Sequence, residues 1–159
     1  MTYRFRIAAC LALGAFAVAA GAAAAQPMGE GIYVPAAKLT AMVAKTKDGS
    51  ISAPVPTGPG TTLLTAHRDA DGQVEVHTKL NDEIVVRSGQ ATFLVGGKVE
   101  GNKETAPGEW RGGKITGGHA YAMGPGDVLW IPAGAPHQVV SPKGDFYYLA
   151  FKFEAQPAR

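Results

Sequence analysis

A single cysteine, Cys10, stands in 159 residues, so no disulfide can form within the chain. A disulfide framework is thereby excluded, and stability must come from an apolar core. Charge is scarce and balanced: 18% of residues are charged, 15 basic against 13 acidic, and neither sign forms a long run. The basic stripe that follows a phosphate backbone is missing, which excludes a nucleic-acid partner. No internal repeat of roughly 20 to 50 residues recurs, and a solenoid is excluded with it. One domain is the expectation for this length.

What is present begins with Met1-Thr-Tyr-Arg-Phe-Arg6, followed by an apolar, Ala-rich stretch from Ile7 to Ala25 and then Gln26-Pro27. Two arginines, the apolar stretch and small residues at Ala23 and Ala25 match a secretory signal with an A-x-A cleavage site. The stretch is also just long enough to span a bilayer. Alanine and glycine drive insertion poorly, however, so cleavage is expected over anchoring. Cys10 follows Ile-Ala-Ala, but almost no apolar run precedes it, and lipidation is set aside. Residues 1–25 are therefore expected to be a signal peptide, leaving a periplasmic or secreted protein with no membrane attachment. Of the fifteen basic residues, Arg4 and Arg6 leave with the leader, so thirteen remain against thirteen acidic ones. The cysteine leaves too, and with it any thiol chemistry.

Residues 26–60 read as an N-terminal extension. Pro35 to Ala44 suits a short helix with proline in its first turn, and Leu39, Met42 and Val43 form one apolar stripe. Gly49 to Gly60, rich in Pro, Gly and Ser, reads as an irregular connection. From Thr61 the texture changes to strands separated by turn signals every 8 to 12 residues or so, as in an all-β sandwich or barrel. Thr61–Arg68 and Gln73–Leu80 flank Asp69-Ala-Asp-Gly72 and read as a hairpin. Further strands are expected at 83–87, 91–95, 119–123, 128–132, 138–141 and 146–153, the last apolar on both faces and buried. Residues 97–118, with Trp110 and Arg111 alone among Gly, Lys and Glu, read as a long loop: a lid or a solvated excursion.

Chemistry concentrates at Gly126-Asp-Val-Leu-Trp-Ile-Pro-Ala-Gly-Ala-Pro-His137. A turn at Gly126, an inward strand, and a bend at Pro132 and Gly134 would deliver the imidazole of His137 into the barrel. Upstream stand His77, Lys79 and Glu83, followed by Gly89. These two segments resemble the paired motifs of the cupin superfamily over roughly Thr61 to Phe153. Its first motif runs His-x-His, three or four residues, Glu, several residues, Gly. Here Lys79 takes the place of the second histidine, Gly89 falls one residue early, and Ser141 stands where the family often has Asn.

The resemblance implies an antiparallel jelly-roll barrel over residues 61–154, with the short helix ahead of it. It also implies a divalent metal (Fe, Mn, Ni or Zn) on His77, Glu83 and His137, since two histidines and a carboxylate suit such ions. Lys79 stands against this, because an ammonium repels a divalent cation. Either its head swings to solvent, or it takes the metal's electrostatic place by pairing with Glu83. Lys79, His137 and Tyr121 are the catalytic candidates.

Among the other residues considered, His67 is expected at the surface, facing away from His77. His119, Tyr121 and Met123 share one strand face and line either the pocket or the core. Trp130 is expected in the packing and Arg87 at the sheet rim. Two functions follow for a pocket holding a small oxygen-rich molecule: a metal-dependent isomerase, lyase or oxygenase, or a non-catalytic, sugar-like binding module without metal. A third reading has the domain work through a surface contact or as a homodimer, with which the apolar strand 146–153 is compatible.

Overall fold

The computed structural model describes residues 31–44 and 50–155. The expected signal peptide lies outside them, as do residues 26–30 of the extension. Among the described residues, one helix, α1 (Ala36–Met42), precedes thirteen strands. Five of these form one sheet: β1 (Ser50–Pro54), β2 (Thr62–Arg68), β4 (Leu80–Ser88), β11 (Val128–Ile131) and β13 (Phe146–Glu154), in the order β1-β2-β13-β4-β11. Six form the second: β3 (Glu75–His77), β5 (Ala91–Val95), β7 (Lys103–Ala106), β8 (Glu109–Arg111), β10 (His119–Met123) and β12 (His137–Val140), in the order β10-β5-β12-β3-β8-β7. The pair β6 (Lys98–Glu100) and β9 (Lys114–Thr116) stands apart. Every strand pairing is antiparallel.

Alternation along the strands builds the core. Successive side chains point to opposite faces, so Ile84 and Val86 of β4 turn the same way as Phe146, Tyr148 and Ala150 of β13, and all are buried. Phe93 of the second sheet meets Phe146 and Tyr148 edge-on, with ring centroids 6.2 and 5.7 Å apart. That contact ties the two sheets into one interior.

Three expectations need correction. The hairpin does not form: β2 pairs with β1 and β13, while β3 pairs with β12 and β8, so the turn at Asp69–Gly72 carries the chain from one sheet to the other. The supposed irregular connection contains β1, whose Pro54 is tolerated because this strand is a sheet edge. Residues 97–118 are not a bare loop but carry four short strands, and β8 reaches the polar end of the interior.

The helix falls where expected, with Pro35 at its N-cap. It lies on the outside of the first sheet, where the Thr65 hydroxyl donates to the Leu39 carbonyl (3.3 Å) and Arg87 donates to Ala36 and Thr40. His67 does face away from the interior, yet it is buried rather than at the surface: its Nε2 meets Asp145 (2.9 Å) and its ring packs on Tyr147.

Candidate functional site

Alternation also places the polar groups. On β4 the face that presents Ile84 and Val86 presents Asp82; on β13 the face of Tyr148 and Ala150 presents Lys152. Asp82 and Lys152 are direct cross-strand partners. Glu75 and His77, two apart on β3, share a face, and Glu75 is paired with His137 on β12 and with Arg111 on β8. His77 faces Glu109. Both sheets therefore aim ionisable groups at one end of a barrel whose other end is apolar.

The bend after β11 fixes His137. Gly134 adopts a φ of 82°, in the left-handed region, and its N–H donates to the His77 carbonyl (2.8 Å). Asn81 accepts from the N–H of Ala133 (2.9 Å). The imidazole that follows is 6% exposed, with its ring centroid 5.2 Å from that of His77. Its Nδ1–H donates to the Ala135 carbonyl (3.1 Å), which leaves the Nε2 lone pair toward Asp82, 3.7 Å away. Burial lowers its pKa, so the ring is a neutral base.

Lys152 sits at the centre. Its Nζ lies 2.8 Å from each oxygen of Asp82 and 2.9 Å from His77 Nε2. Two of its N–H groups reach the Asp82 oxygens, and His77 Nε2 faces it across a contact that holds a single proton. Burial opposes charge on Asp82, but His77 and Lys152 hold its carboxyl below the ordinary range. Burial also opposes charge on Glu75, and there His77 and Arg111 prevail, at about 2.

Burial lowers His77 as well, yet its contacts with Asp82 and Glu75 raise it to about 9. Its Nδ1–H donates to Glu109 (2.7 Å), so the proton that the ring gains or loses sits on Nε2, in the contact with Lys152 Nζ. One proton serves that contact, shared between the imidazole and the amine. Arg111 closes the rim through Glu75 (3.3 Å) and Glu109 (3.1 Å). Glu75, Asp82, Arg111, His137 and Lys152 line a cavity of about 100 Å³, with Ala66, Ile84, Phe93 and Val139 on its apolar side.

A family model described as the AraC-like ligand binding domain matches residues 114–158. No curated protein matches the sequence. Among solved structures, a conserved protein of unknown function from Streptococcus pyogenes is similar at a TM-score of 0.53 and 16% identity, covering 80% of this chain and 91% of its own. A Klebsiella pneumoniae protein with a double-stranded beta-helix domain reaches 0.53 at 15% identity, covering 76% and 90%. A cupin superfamily protein from Desulfitobacterium hafniense reaches 0.50 at 14% identity, covering 72% and 86%. The chain has the cupin fold.

Within this fold, His77 and His137 come together as expected, but the other expected residues do not join them. Glu83 pairs with Trp130 and Phe151 on the outer face of the first sheet, because it follows Asp82 by one residue and so points the opposite way. Lys79 lies just past β3, exposed beside Gly108. Tyr121 is 40% exposed on the edge strand β10, as is its neighbour His119, while only Met123 of that face enters the core. Trp130 is half-exposed on the outer face, stacked on Phe153. The sequence reading missed Glu75, Asp82, Glu109, Arg111 and Lys152. One signal for Asp82 was available: counting from it rather than from Glu83 restores the residue that Gly89 lacked.

The donor set has the reach for a cation. Glu75, His77 and His137 offer ligand atoms within 4.8 Å of one another, and Asp82 lies 3.4 Å from His77 Nε2. Around a tetrahedral ion with bonds of about 2.1 Å, neighbouring ligands stand about 3.4 Å apart. Lys152, however, already holds His77 Nε2 and both Asp82 oxygens. An ammonium about 4 Å from a divalent ion is repelled by about 8 kcal/mol at an effective dielectric of about 20. The triad therefore has the geometry for a divalent ion, and Lys152 in its present position competes with the ion for the same donors.

Proposed function

We propose that this cupin is an exported small-molecule-binding protein. Its barrel holds an oxygen-rich ligand between the Lys152 ammonium and the neutral imidazole of His137, without a metal. The observation that carries this reading is the position of Lys152, whose Nζ lies 2.8 to 2.9 Å from three atoms that a metal would need. Lys152 and His77 hold Asp82 in its charged form, while His137 Nε2 offers an acceptor to a ligand hydroxyl at the cavity wall. The family model over residues 114–158, described as ligand binding, supports a small-molecule partner. Export rests on the order of charge, apolar stretch and small residues in the first 25 positions.

The test is thermal unfolding of chelator-treated protein against polyols, sugars and hydroxy acids. A ligand at about a hundred times its Kd stabilises by about 2.7 kcal/mol. Stabilisation without added metal, abolished in His137→Gln, is the expected result. Stabilisation that appears only when a divalent metal is restored would show that Lys152 swings out and that Glu75, His77, Asp82 and His137 hold the ion.

A further inference from the structure

We infer that the ligand carries a carboxylate and that Arg68 receives it. This rests on the reading of the barrel as a ligand pocket and adds the chemical class of what enters. Arg68 ends β2 on the inward face, after Leu64 and Ala66, and lines the same cavity as Asp82, His137 and Lys152. Its guanidinium is fixed before any ligand arrives. Nη1 donates to the carbonyls of Ile51 (3.2 Å) and His67 (3.0 Å), and the guanidinium carbon stands 5.7 Å from the centre of the Tyr148 ring. A group already held costs little further ordering on binding.

What Arg68 lacks among the described residues is an anionic acceptor, its neighbour on that side being the neutral Tyr148 side chain. Nε is buried and meets no hydrogen-bond partner among the described residues. The other two cations of the cavity wall are matched: Arg111 lies against Glu75 and Glu109, and Lys152 against Asp82. Arg68 makes no ion pair among the described residues. Buried donors in folded proteins are almost always satisfied, and a planar guanidinium edge matches the oxygens of a carboxylate.

Gly72 supplies a second, independent observation. It lines the cavity and its open mouth, and a Cβ built there would lie 3.6 Å from Nε. Its backbone is outside the left-handed region, so no turn geometry demands glycine at this position. A side chain there would thicken the cover over the buried Nε, which glycine keeps to backbone alone. A carboxylate seated there places the rest of a small molecule toward Lys152 and His137, the groups suited to a hydroxyl or carbonyl oxygen.

The experiment is titration of the full chain with glycolate, lactate, lactamide, glycerol and inorganic phosphate. It follows binding heats and the imidazole NMR signals of His137, in the native protein and in Arg68→Gln. The expected result is that glycolate or lactate binds and shifts the His137 signals, that lactamide binds at least tenfold more weakly, and that Arg68→Gln loses at least tenfold for the carboxylates. Should Arg68→Gln fail to fold, Gly72→Val keeps the guanidinium, fills the space over Nε, and is expected to lose carboxylate binding likewise.

Equal binding of lactate and lactamide, tighter binding of phosphate, or carboxylate binding unchanged in the variant would overturn the assignment. If glycerol or lactamide moves the His137 signals and no carboxylate does, the carboxylate class falls while the ligand pocket stands. If no probe moves them, both fall.

Discussion

Asp82 is 3% exposed, and among the described residues Lys152 and His77 compensate its charge. Removing one partner of a buried ion pair strands the other charge, at a cost of about 3–5 kcal/mol. Asp82→Asn is therefore expected to lower stability by that order in urea unfolding. Glu83→Gln, one residue along and on the outer face, is expected to stay within about 0.5 kcal/mol. Equal losses at the two positions would contradict the register of β4. The pair also shows why residue identity was only half legible in the sequence. His77 and His137 could be found because histidine is rare in this chain and the bend before His137 has its own Pro and Gly spacing. Choosing between two adjacent acids requires the strand's facing, which depends on pairing with β11 and β13. Lys152 was hidden for the same reason. In Phe-Tyr-Tyr-Leu-Ala-Phe-Lys-Phe it reads as the polar end of an apolar strand, and only the alternation from Phe146 carries it inward.

At the scale of elements, the turns that deliver these strands rest on a few glycines. Gly89 has φ of 80°, and a Cβ there would run into the Asp145 carbonyl and lie 2.9 Å from the Phe146 Cα. Gly89→Ala is expected to cost more than about 1 kcal/mol. Gly58→Ala, where nothing lies within 4 Å, is expected to stay within about 1 kcal/mol. Thermal melts of the two variants compare them directly, and an unperturbed Gly89→Ala would show that the β4–β5 turn is misdescribed. Strand positions 91–95 and 119–123 were legible to the residue because Val, Phe and Tyr alternate between clear turn signals. The segment 97–118 was not, because its strands are three or four residues long and mostly exposed. Nothing in their composition distinguishes such ribbons from loop. Their contribution, placing Glu109 and Arg111 beside His77 and Glu75, exists only through the pairing of β8 with β3.

Across the whole molecule, the barrel closes where Phe93 of one sheet meets Phe146 and Tyr148 of the other. Phe93→Ala is expected to cost about 3–5 kcal/mol and to lower the denaturation midpoint; a loss under about 1 kcal/mol would mean that the sheets do not share this core. The jelly-roll architecture was legible from strand spacing and the second motif together. The hairpin expected at residues 61–80 was not the real connection, since turn residues fix a reversal and not which sheet receives the next strand.

The Lys152 side chain at the centre of the donor set decides the chemistry of the barrel, and cobalt(II) titration followed by visible absorption tests its role most directly. The native, chelator-treated protein is expected to give no stoichiometric d–d band. Lys152→Met, which frees Glu75, His77, Asp82 and His137, is expected to gain one at about one equivalent. A band of full intensity in the native protein, unchanged by the substitution, would contradict the claim.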